Sequence, residues 1–517
     1  MKKLASLLIG LFSFLLGNAQ NQAPQIILND FEVDFGTDKL TLDFDLADAE
    51  NDPTNLVFLF SEDAGQTFQR FTIDSLSASQ PINNGNYKAV WNFGLAVADI
   101  VNTIVRIVPN DNQSASVCDL ATQVDSNNLK NWITWLEGPR NYTVDEPRME
   151  MVKDSISKVF SSLGYTSNTV NFTSGSFNGE NIIGQQNGVF GDNKTIIFDA
   201  HFDAVPVSPG ADDNASGIAA VLEAARILKQ VEFAHQIEAI AFDLEENGLL
   251  GSRNYAANIT TGKQIEGVVN FEMIGYFSTQ PNSQNLPTGF GTLFPTQTAS
   301  IIADSSRGNF ITNVYNNTSS GLGSTFIQSA SNCVPNLKVV GLEVPGNGSL
   351  APDLRRSDHA PFWDKNIPAL MLTDGADFRN QNYHTANDKK GTLNFGFMTE
   401  VVAASVATIA NLAQISHGEA LDINLGFVNT ENHHHHNCKV EVYPNPTNNW
   451  LYLNLGDCPN GKLLLEVFDL EGRKQIQLYE NYQTENLKID VQRLKPQTYV
   501  LVIGGEEFQK SVVFVKE

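Results

Sequence analysis

Positive charge is scarce in this chain of 517 residues. It has 33 lysine and arginine residues against 58 aspartate and glutamate residues, which gives a formal net charge of -25 at pH 7. Such a surplus of negative charge repels the phosphates of a nucleic acid. We therefore exclude nucleic acid as a partner. Beyond that, the charge indicates only a solvated acidic surface.

Long hydrophobic runs are also scarce. The clearest run lies between Leu4 and Leu16, within MKKLASLLIGLFSFLLGNAQ, and it is shorter than the roughly 20 apolar residues that cross a bilayer. Two lysines precede it and the small residues Gly17 and Ala19 follow it, a pattern typical of a secretory signal peptide over residues 1–20. No later segment is long and apolar enough to span a membrane, and the signal peptide predicts an exported protein.

Cysteine is rare, with only four residues, Cys118, Cys333, Cys438 and Cys458. Export places them in an oxidising compartment, where disulfides persist, and four cysteines allow three connectivities. We favour a bond between Cys438 and Cys458, because they are close in sequence and flank a predicted strand. Cys118 and Cys333 then either pair with each other or stay free.

A chain of this length exceeds a single hydrophobic core, so several domains are expected. Residues 21–116 contain short alternating runs such as LTLDFDL, which predict an all-β sandwich. Their pattern is similar to fibronectin type III and immunoglobulin-like accessory modules. Residues 419–437 are a predicted linker, and we interpret their HHHH tract at 433–436 as a solvated spacer. Residues 438–517 form a second predicted all-β module.

The region between these modules, residues 128–418, alternates predicted helices and strands. TIIFDA, QIEAIAFDLEE and EGVVNFEMIG are strand candidates, and NASGIAAVLEAARILKQ carries apolar residues on one helical face. This order predicts an α/β fold, with a central mostly parallel sheet flanked by helices. Sites in such sheets lie beyond the carboxyl ends of the strands.

Histidines and carboxylates occur shortly after these predicted strands, and one further histidine occurs in a later loop. Both residue types bind zinc, and catalytic zinc keeps one position open for water. Two neighbouring ions need a carboxylate that bridges them. The histidines and carboxylates of these motifs are sufficient to bind two Zn²⁺ ions. The predicted ligands are His201 and Glu272 for one ion, Glu246 and His384 for the other, and Asp213 as the bridge.

Residues beside these ligands have predicted roles that do not involve binding metal. Asp203 is expected to accept the second ring N–H of the histidine two residues before it. Asp212 is interpreted as a helix cap together with Asn214. Glu245 is the predicted general base, which takes a proton from the attacking water and delivers it to the leaving amine. Tyr383 is a candidate donor to the oxyanion, although a core tyrosine fits that residue equally well.

These motifs resemble those of the secreted di-zinc aminopeptidases of peptidase clan MH. The matching stretches are DAHFD, GADDNASG, DLEENGLLGS, NFEMIGY, NYHTAND and RSDHAPFW. The resemblance implies the zinc exopeptidase fold, the same ligands, and the oxyanion role of Tyr383. Many members have aspartate where this chain has Glu272.

The C-terminal module resembles the sorting domain that the type IX secretion system reads. VYPNPTNNWLYL opens it and FQKSVVFVKE closes it, although the usual glycine before Tyr499 is absent from KPQTY. The resemblance implies two export steps. The leader directs the chain to the periplasm, and the sorting domain then directs it across the outer membrane to the cell surface or medium.

Three functions remain open at this point. The first is a zinc aminopeptidase acting on peptide or protein substrates. The second is another reaction on the same fold, a carboxypeptidase or a glutaminyl-peptide cyclotransferase, although cyclases generally depart from the GADDNASG stretch that this chain retains. The third is an inactive surface-binding protein, which predicts an eroded ligand set, and no erosion is visible.

Overall fold

The computed structural model describes residues 23–34, 37–65, 68–94, 103–111, 116–416, 418, 420–425, 440–456, 461–469, 474–482, 487–504 and 509–517. The predicted signal peptide, the histidine tract and the favoured Cys438–Cys458 pair lie outside these residues.

The N-terminal region forms strands in two sheets packed face to face. One sheet has the order β1-β2-β6-β5, and the other contains β7, β3 and β4 in that order. The predicted alternation is confirmed, because Leu40, Leu42, Phe44 and Leu46 are buried between the sheets. The strands are β1 (Gln25–Asp34), β2 (Lys39–Ala47), β3 (Asn55–Ser61), β4 (Gln69–Phe71), β5 (Ser75–Leu76), β6 (Gly85–Asn92) and β7 (Ile104–Asn110).

The central region is a three-layer α/β unit, and its elements alternate as predicted. Its helices are α1 (Val117–Ala121), α2 (Ser126–Leu136), α3 (Tyr142–Ser162), α4 (Ala215–Leu228), α5 (Leu250–Ala257), α6 (Phe290–Leu293), α7 (Pro295–Ala303), α8 (Ser320–Cys333), α9 (Ala360–Trp363) and α10 (Phe395–Ala413). Its strands are β8 (Thr166–Ser174), β9 (Phe177–Gln186), β10 (Lys194–His201), β11 (Gln236–Phe242), β12 (Gln264–Glu272), β13 (Ile311–Asn316), β14 (Val339–Val344) and β15 (Ala369–Thr373).

These strands form one eight-stranded sheet of order β14-β13-β15-β12-β10-β11-β9-β8. The middle strands β11, β10, β12 and β15 pair in parallel, whereas β8, β9 and the β13–β15 pair are antiparallel. The sheet is therefore mixed, with a parallel centre. Because the four central strands point the same way, their carboxyl ends share one edge, and the loops after them meet there.

Helix α4 lies against the middle of this sheet and is buried on all sides except at Arg226. The sequence predicted a single apolar face. The other faces are also covered because α2 and α10 pack over the helix. Small residues such as Ala219, Ala220 and Ala224 permit this close packing.

Helix α10 is long and apolar enough, by length and composition, to cross a membrane. The expectation that no segment after the leader meets this criterion was therefore wrong. However, 67% of the apolar window is buried inside the molecule. Val401, Val402, Ile409 and their neighbours pack in the same hydrophobic core as α4, which explains the composition without a bilayer.

A disulfide joins Cys118 in α1 to Cys333 in α8, across 215 residues of sequence. The sequence left open whether these two cysteines pair or stay free, and in the structure they pair. Both helices contact α10, so the bond fixes two elements that flank the same core helix.

The strand β16 (Leu421–Asn424) corrects the predicted linker. It pairs antiparallel with β7, and Ile423 and Leu425 are buried in the core of the N-terminal sandwich. Arg106 of β7 donates two hydrogen bonds to the Asp422 carboxylate, at 2.6 and 2.8 Å. The linker prediction failed here because a four-residue strand has almost no local pattern and its partner lies about three hundred residues earlier.

The C-terminal region is a second all-β unit with a core of its own. Its two antiparallel sheets have the orders β17-β18-β21 and β20-β19-β22-β23. The strands are β17 (Glu441–Tyr443), β18 (Trp450–Asn454), β19 (Gly461–Asp469), β20 (Lys474–Tyr482), β21 (Leu487–Asp490), β22 (Gln497–Gly504) and β23 (Gln509–Lys516).

Candidate active site

All five predicted zinc ligands lie together beyond the carboxyl ends of the central strands. His201 is the last residue of β10, and Glu272 is the last residue of β12. Glu246 follows β11, and Asp213 comes just before α4. His384 reaches the cluster from the loop between β15 and α10. Parallel pairing of β10 with β11 and β12 is what brings the first three segments to one edge.

The donor atoms form two adjacent groups. In the first group, His201 Nε2 is 3.3 Å from Glu272 Oε2 and 4.0 Å from Glu245 Oε2. In the second group, His384 Nε2 is 3.3 Å from Glu246 Oε2. The donor atoms within each group lie within 4.8 Å of one another, a spacing that allows a metal ion to bind.

Asp213 lies between the two groups and faces both. Its Oδ1 is 3.5 Å from His201 Nε2, and its Oδ2 is 3.0 Å from His384 Nε2. The two oxygens of one buried carboxylate are thus directed at different histidines. A carboxylate in this position can contribute one oxygen to each of two ions.

The cluster has more negative charge than its protein surroundings neutralise. Burial, followed by the charge of Asp213, raises the pKa of Glu246 to about 7. Burial also raises the pKa of Glu245. For His384, burial lowers the pKa, but contacts with Asp213 and Glu246 outweigh this effect and raise it to about 10. Carboxylates held this close favour a bound cation.

Two buried atoms of the second group make no hydrogen bond: Glu246 Oε1, and His384 Nε2, which is 3.0 and 3.3 Å from carboxylate oxygens of Asp213 and Glu246 but does not meet them in hydrogen-bond geometry. Orphaned buried donors and acceptors are rare in folded proteins and are costly. Imidazole nitrogen and carboxylate oxygen are the atoms that zinc binds in catalytic sites. The residues present therefore fit divalent zinc.

Asp203 holds three parts of the site in place. Its Oδ1 is 3.3 Å from His201 Nδ1, so it faces the ring nitrogen opposite the cluster. Its two oxygens also accept hydrogen bonds from the backbone N–H groups of Glu245 and Glu246, at 3.1 and 3.2 Å. The sequence did not predict these two backbone hydrogen bonds, which tie the loop after β11 to the loop after β10.

Asp212 does not cap α4. Asn214 caps it by accepting a hydrogen bond from Gly217 N at 3.0 Å. The Asp212 carboxylate is buried elsewhere, where it accepts hydrogen bonds from Gly275 N at 2.9 Å and Asn380 Nδ2 at 2.7 Å. The cap interpretation was therefore right for Asn214 and wrong for Asp212.

Two supporting residues were missed by the sequence analysis. Asp388 is buried and accepts hydrogen bonds from the backbone N–H groups of Asp212 and Asp213, at 2.9 and 3.1 Å. Ser357 donates a hydrogen bond of 2.7 Å to Glu272 Oε2. Asp388 lies in NYHTAND and Ser357 in RSDHAPFW, and the available signal was that both are polar residues near a ligand motif.

Tyr383 lies at the rim of the site and is only partly buried, so it is not a core tyrosine. Its ring stacks on the His384 ring, with centroids 3.7 Å apart. Its hydroxyl oxygen accepts a hydrogen bond from Arg356 Nη2 at 3.0 Å, and Arg356 also binds Asp377 at 3.1 Å. Because the oxygen is the acceptor, the hydroxyl proton remains available to a ligand.

A parallel-centred α/β sheet with such a donor cluster beyond its strands is the arrangement of a metal-dependent hydrolase. Comparison with known proteins agrees. Residues 181–409 match the profile of Peptidase family M28. The uncharacterized protein YfbL of Escherichia coli is 32% identical over 272 residues, which cover 50% of this chain and 78% of YfbL.

The chain therefore belongs to peptidase family M28 and is a metallopeptidase. Aminopeptidase YwaD of Bacillus subtilis is 45% identical over 82 residues, only 16% of this chain and 18% of YwaD. Among solved structures, an aminopeptidase from Aneurinibacillus sp. strain AM-1 aligns with a TM-score of 0.43 and 16% identity, over 58% of this chain and 96% of that one.

The predicted sorting domain is confirmed. Residues 441–517 match the profile of a secretion system C-terminal sorting domain. This match supports export of the protein through the type IX pathway.

Proposed function

We propose that this protein is an exported aminopeptidase that hydrolyses the N-terminal peptide bond of peptides with two zinc ions. His201 and Glu272 would hold one ion, Glu246 and His384 the other, and Asp213 both. The observation that carries this assignment is the position of Asp213, with one oxygen 3.5 Å from His201 and the other 3.0 Å from His384. When bound, the two ions activate a water molecule and polarise the scissile carbonyl.

Glu245 is proposed as the general base and not as a ligand. Its Oε2 is 4.0 Å from His201 Nε2, whereas Asp213 Oδ1 is closer, at 3.5 Å. Asp213 is therefore the better third ligand, and Glu245 remains free to accept a proton from water and release it to the leaving amine. Burial raises the pKa of Glu245, which favours a carboxyl that can both take and return a proton.

Tyr383 is proposed to stabilise the oxyanion. Arg356 donates to its hydroxyl oxygen, so the hydroxyl proton is directed away from Arg356 and can be donated to the carbonyl oxygen of a bound peptide. The stacked ring of His384 limits rotation of the Tyr383 ring. A donor fixed in advance costs no reorganisation during the reaction.

For export, we propose that residues 1–20 act as the leader and that residues 438–517 are the sorting domain. The accessory sandwich is residues 21–116 and the catalytic domain residues 128–418, to which we add α1 and the start of α2, because α1 contacts α8 and α10. We add β16 to the sandwich, because it supplies a strand of the second sheet.

The test is a substrate panel assayed with the zinc-loaded full chain. It compares a free peptide, its N-acetylated form and a peptide with N-terminal glutamine. Release of the first residue from the free peptide, with loss on acetylation, is the expected result. Cleavage of the acetylated peptide from its C-terminal end would instead identify a carboxypeptidase, and ring closure of the glutaminyl peptide a cyclotransferase. Either result would overturn the proposal.

A further inference from the structure

A second group of carboxylates lies at one end of the N-terminal sandwich. In the strand registers, Leu46 pairs with Gly85, and Asn55 pairs with Asn110. The loop from β2 to β3, the start of β6 and the end of β7 therefore meet at this end. Four acidic residues lie at this end: Asp48, Glu50 and Asp52 in the loop, and Asp111 directly after β7.

Asp48 is the innermost member and is 5% exposed. Its Oδ1 accepts a hydrogen bond from Asp52 N at 2.8 Å. Its backbone is fixed by Asn84, which accepts from Asp48 N and donates to Asp48 O, each at 2.6 Å. The other carboxylate oxygen, Oδ2, is buried and has no hydrogen-bond partner. A buried carboxylate oxygen is costly unless a donor or a cation compensates it.

The carboxylates at this end repel one another. Desolvation raises the pKa of Asp52, and the negative charges of Asp48, Asp111 and Glu50 raise it further. The four carboxylates therefore lie close enough for their charges to interact. A bound cation would relieve this repulsion and supply the partner that Asp48 Oδ2 lacks.

The chemistry of the donor atoms selects the kind of cation. These carboxylates do not form one of the tight groups, within 4.8 Å, that the catalytic donor atoms form, so they would supply only part of the ion's ligand shell. No histidine or cysteine belongs to the group, so the donors are hard oxygens. Ca²⁺ suits such a site because it takes six to eight oxygens at about 2.3–2.6 Å and completes its shell with carbonyls and water.

We propose that this end of the sandwich binds one Ca²⁺ ion, with Asp48 Oδ2 as the innermost ligand and the other three carboxylates supplying charge or water-mediated contacts. Asp111 comes directly after β7, on the path from the sandwich to α1 of the catalytic domain. The ion would therefore fix the end of the sandwich from which the chain enters the catalytic domain. Affinity in the range of extracellular modules, a Kd of about 10⁻⁴ to 10⁻³ M, is expected.

The experiment is calorimetric titration of CaCl₂ into the full chain, with zinc saturating the catalytic site so that calcium does not bind there. The wild type is expected to bind one equivalent and to melt at a higher temperature with calcium. Asp48→Asn keeps the shape of the loop and should weaken calcium binding at least tenfold. Glu32→Gln is the matched control, because it removes one charge from the same sandwich about 20 Å along the strands and should bind as the wild type does.

Glu50→Gln, at an exposed position, provides a second variant in case Asp48→Asn does not fold, and it should weaken binding severalfold. Cooperative unfolding in calcium-free buffer, with the midpoint of the wild type, shows that each variant is folded. The proposal is overturned if the wild type binds no calcium up to about 10 mM, well above the range of extracellular modules. It is equally overturned if the folded loop variants bind calcium as tightly as Glu32→Gln does.

Discussion

At the scale of single residues, two adjacent glutamates have different proposed roles. Glu245 and Glu246 both follow β11, and both have a backbone N–H that donates to Asp203. Only Glu246 lies within 3.3 Å of His384, whereas Glu245 is 4.0 Å from His201. Glu246 is therefore assigned as a metal ligand, and Glu245 as the residue that transfers the proton.

This division predicts opposite phenotypes for two matched substitutions. Glu245→Gln should keep two zinc ions per chain and lose activity by about 10² to 10⁴-fold, the usual contribution of a general base. Glu246→Gln should bind only one ion tightly. Metal analysis after dialysis, together with kcat, distinguishes the two. An active Glu245→Gln enzyme would remove the assignment.

The ligands could be identified from sequence because each follows a strand or lies in a short motif. The residues that support them could not. Asp388 is 175 residues away from its partner Asp213, and Ser357 is 85 residues away from Glu272. A buried aspartate in a loop resembles any solvated aspartate until the fold brings two N–H groups to it.

At the scale of elements, strand β16 ties the end of the catalytic domain to the N-terminal sandwich. The contact continues beyond the strand, because Arg106 also donates a hydrogen bond to Val189 O at 2.8 Å. Phe68 packs with Val189, Leu59 and Val108 in a small hydrophobic cluster. The sandwich and the catalytic domain are thus joined both by a shared strand and by packed side chains.

We expect Ile423→Ala to lower the free energy of unfolding by about 2 to 5 kcal/mol, because the side chain is 2% exposed and its removal leaves a cavity. Ile27→Ala is the control in the same sandwich. Ile27 is 50% exposed, so its effect should be much smaller. Denaturant unfolding of the full chain measures both. Equal effects would mean that β16 does not contribute to the core.

The sequence did not reveal which elements pair with each other when they are far apart in the chain. Alternation indicated β2, and helical periodicity indicated α4, since both signals are local. The pairing of β16 with β7 and the bond between Cys118 and Cys333 depend on segments brought together only by the complete fold. Proximity in sequence instead favoured Cys438 with Cys458.

At the scale of the whole molecule, the catalytic domain concentrates buried carboxyls that are ionised only at a cost. Burial raises the pKa of Asp243, Asp358 and Asp388 to about 7 each, from an ordinary value of 3.8. Between the ordinary pKa of 3.8 and the raised pKa of about 7, the native state binds more protons than the unfolded state. The free energy of unfolding therefore falls as pH rises through this range. His359 acts in the opposite direction, because burial lowers its pKa to about 3, but it is one group against three.

The zinc-free protein should therefore be less stable at pH 7.5 than at pH 5, and zinc should reduce the difference. Urea unfolding of chelator-treated and zinc-loaded protein at the two pH values measures this. A zinc-free protein whose stability rises with pH over this interval would contradict the assignment of buried, protonated carboxyls.

The central claim is that Asp213 bridges two metal ions. Anomalous diffraction at the zinc absorption edge, from crystals of the zinc-loaded protein, tests it most directly. Two peaks about 3.5 to 4 Å apart, one beside His201 and one beside His384 with Asp213 between them, are the predicted result. A single peak, or two peaks that do not share Asp213, would contradict the account.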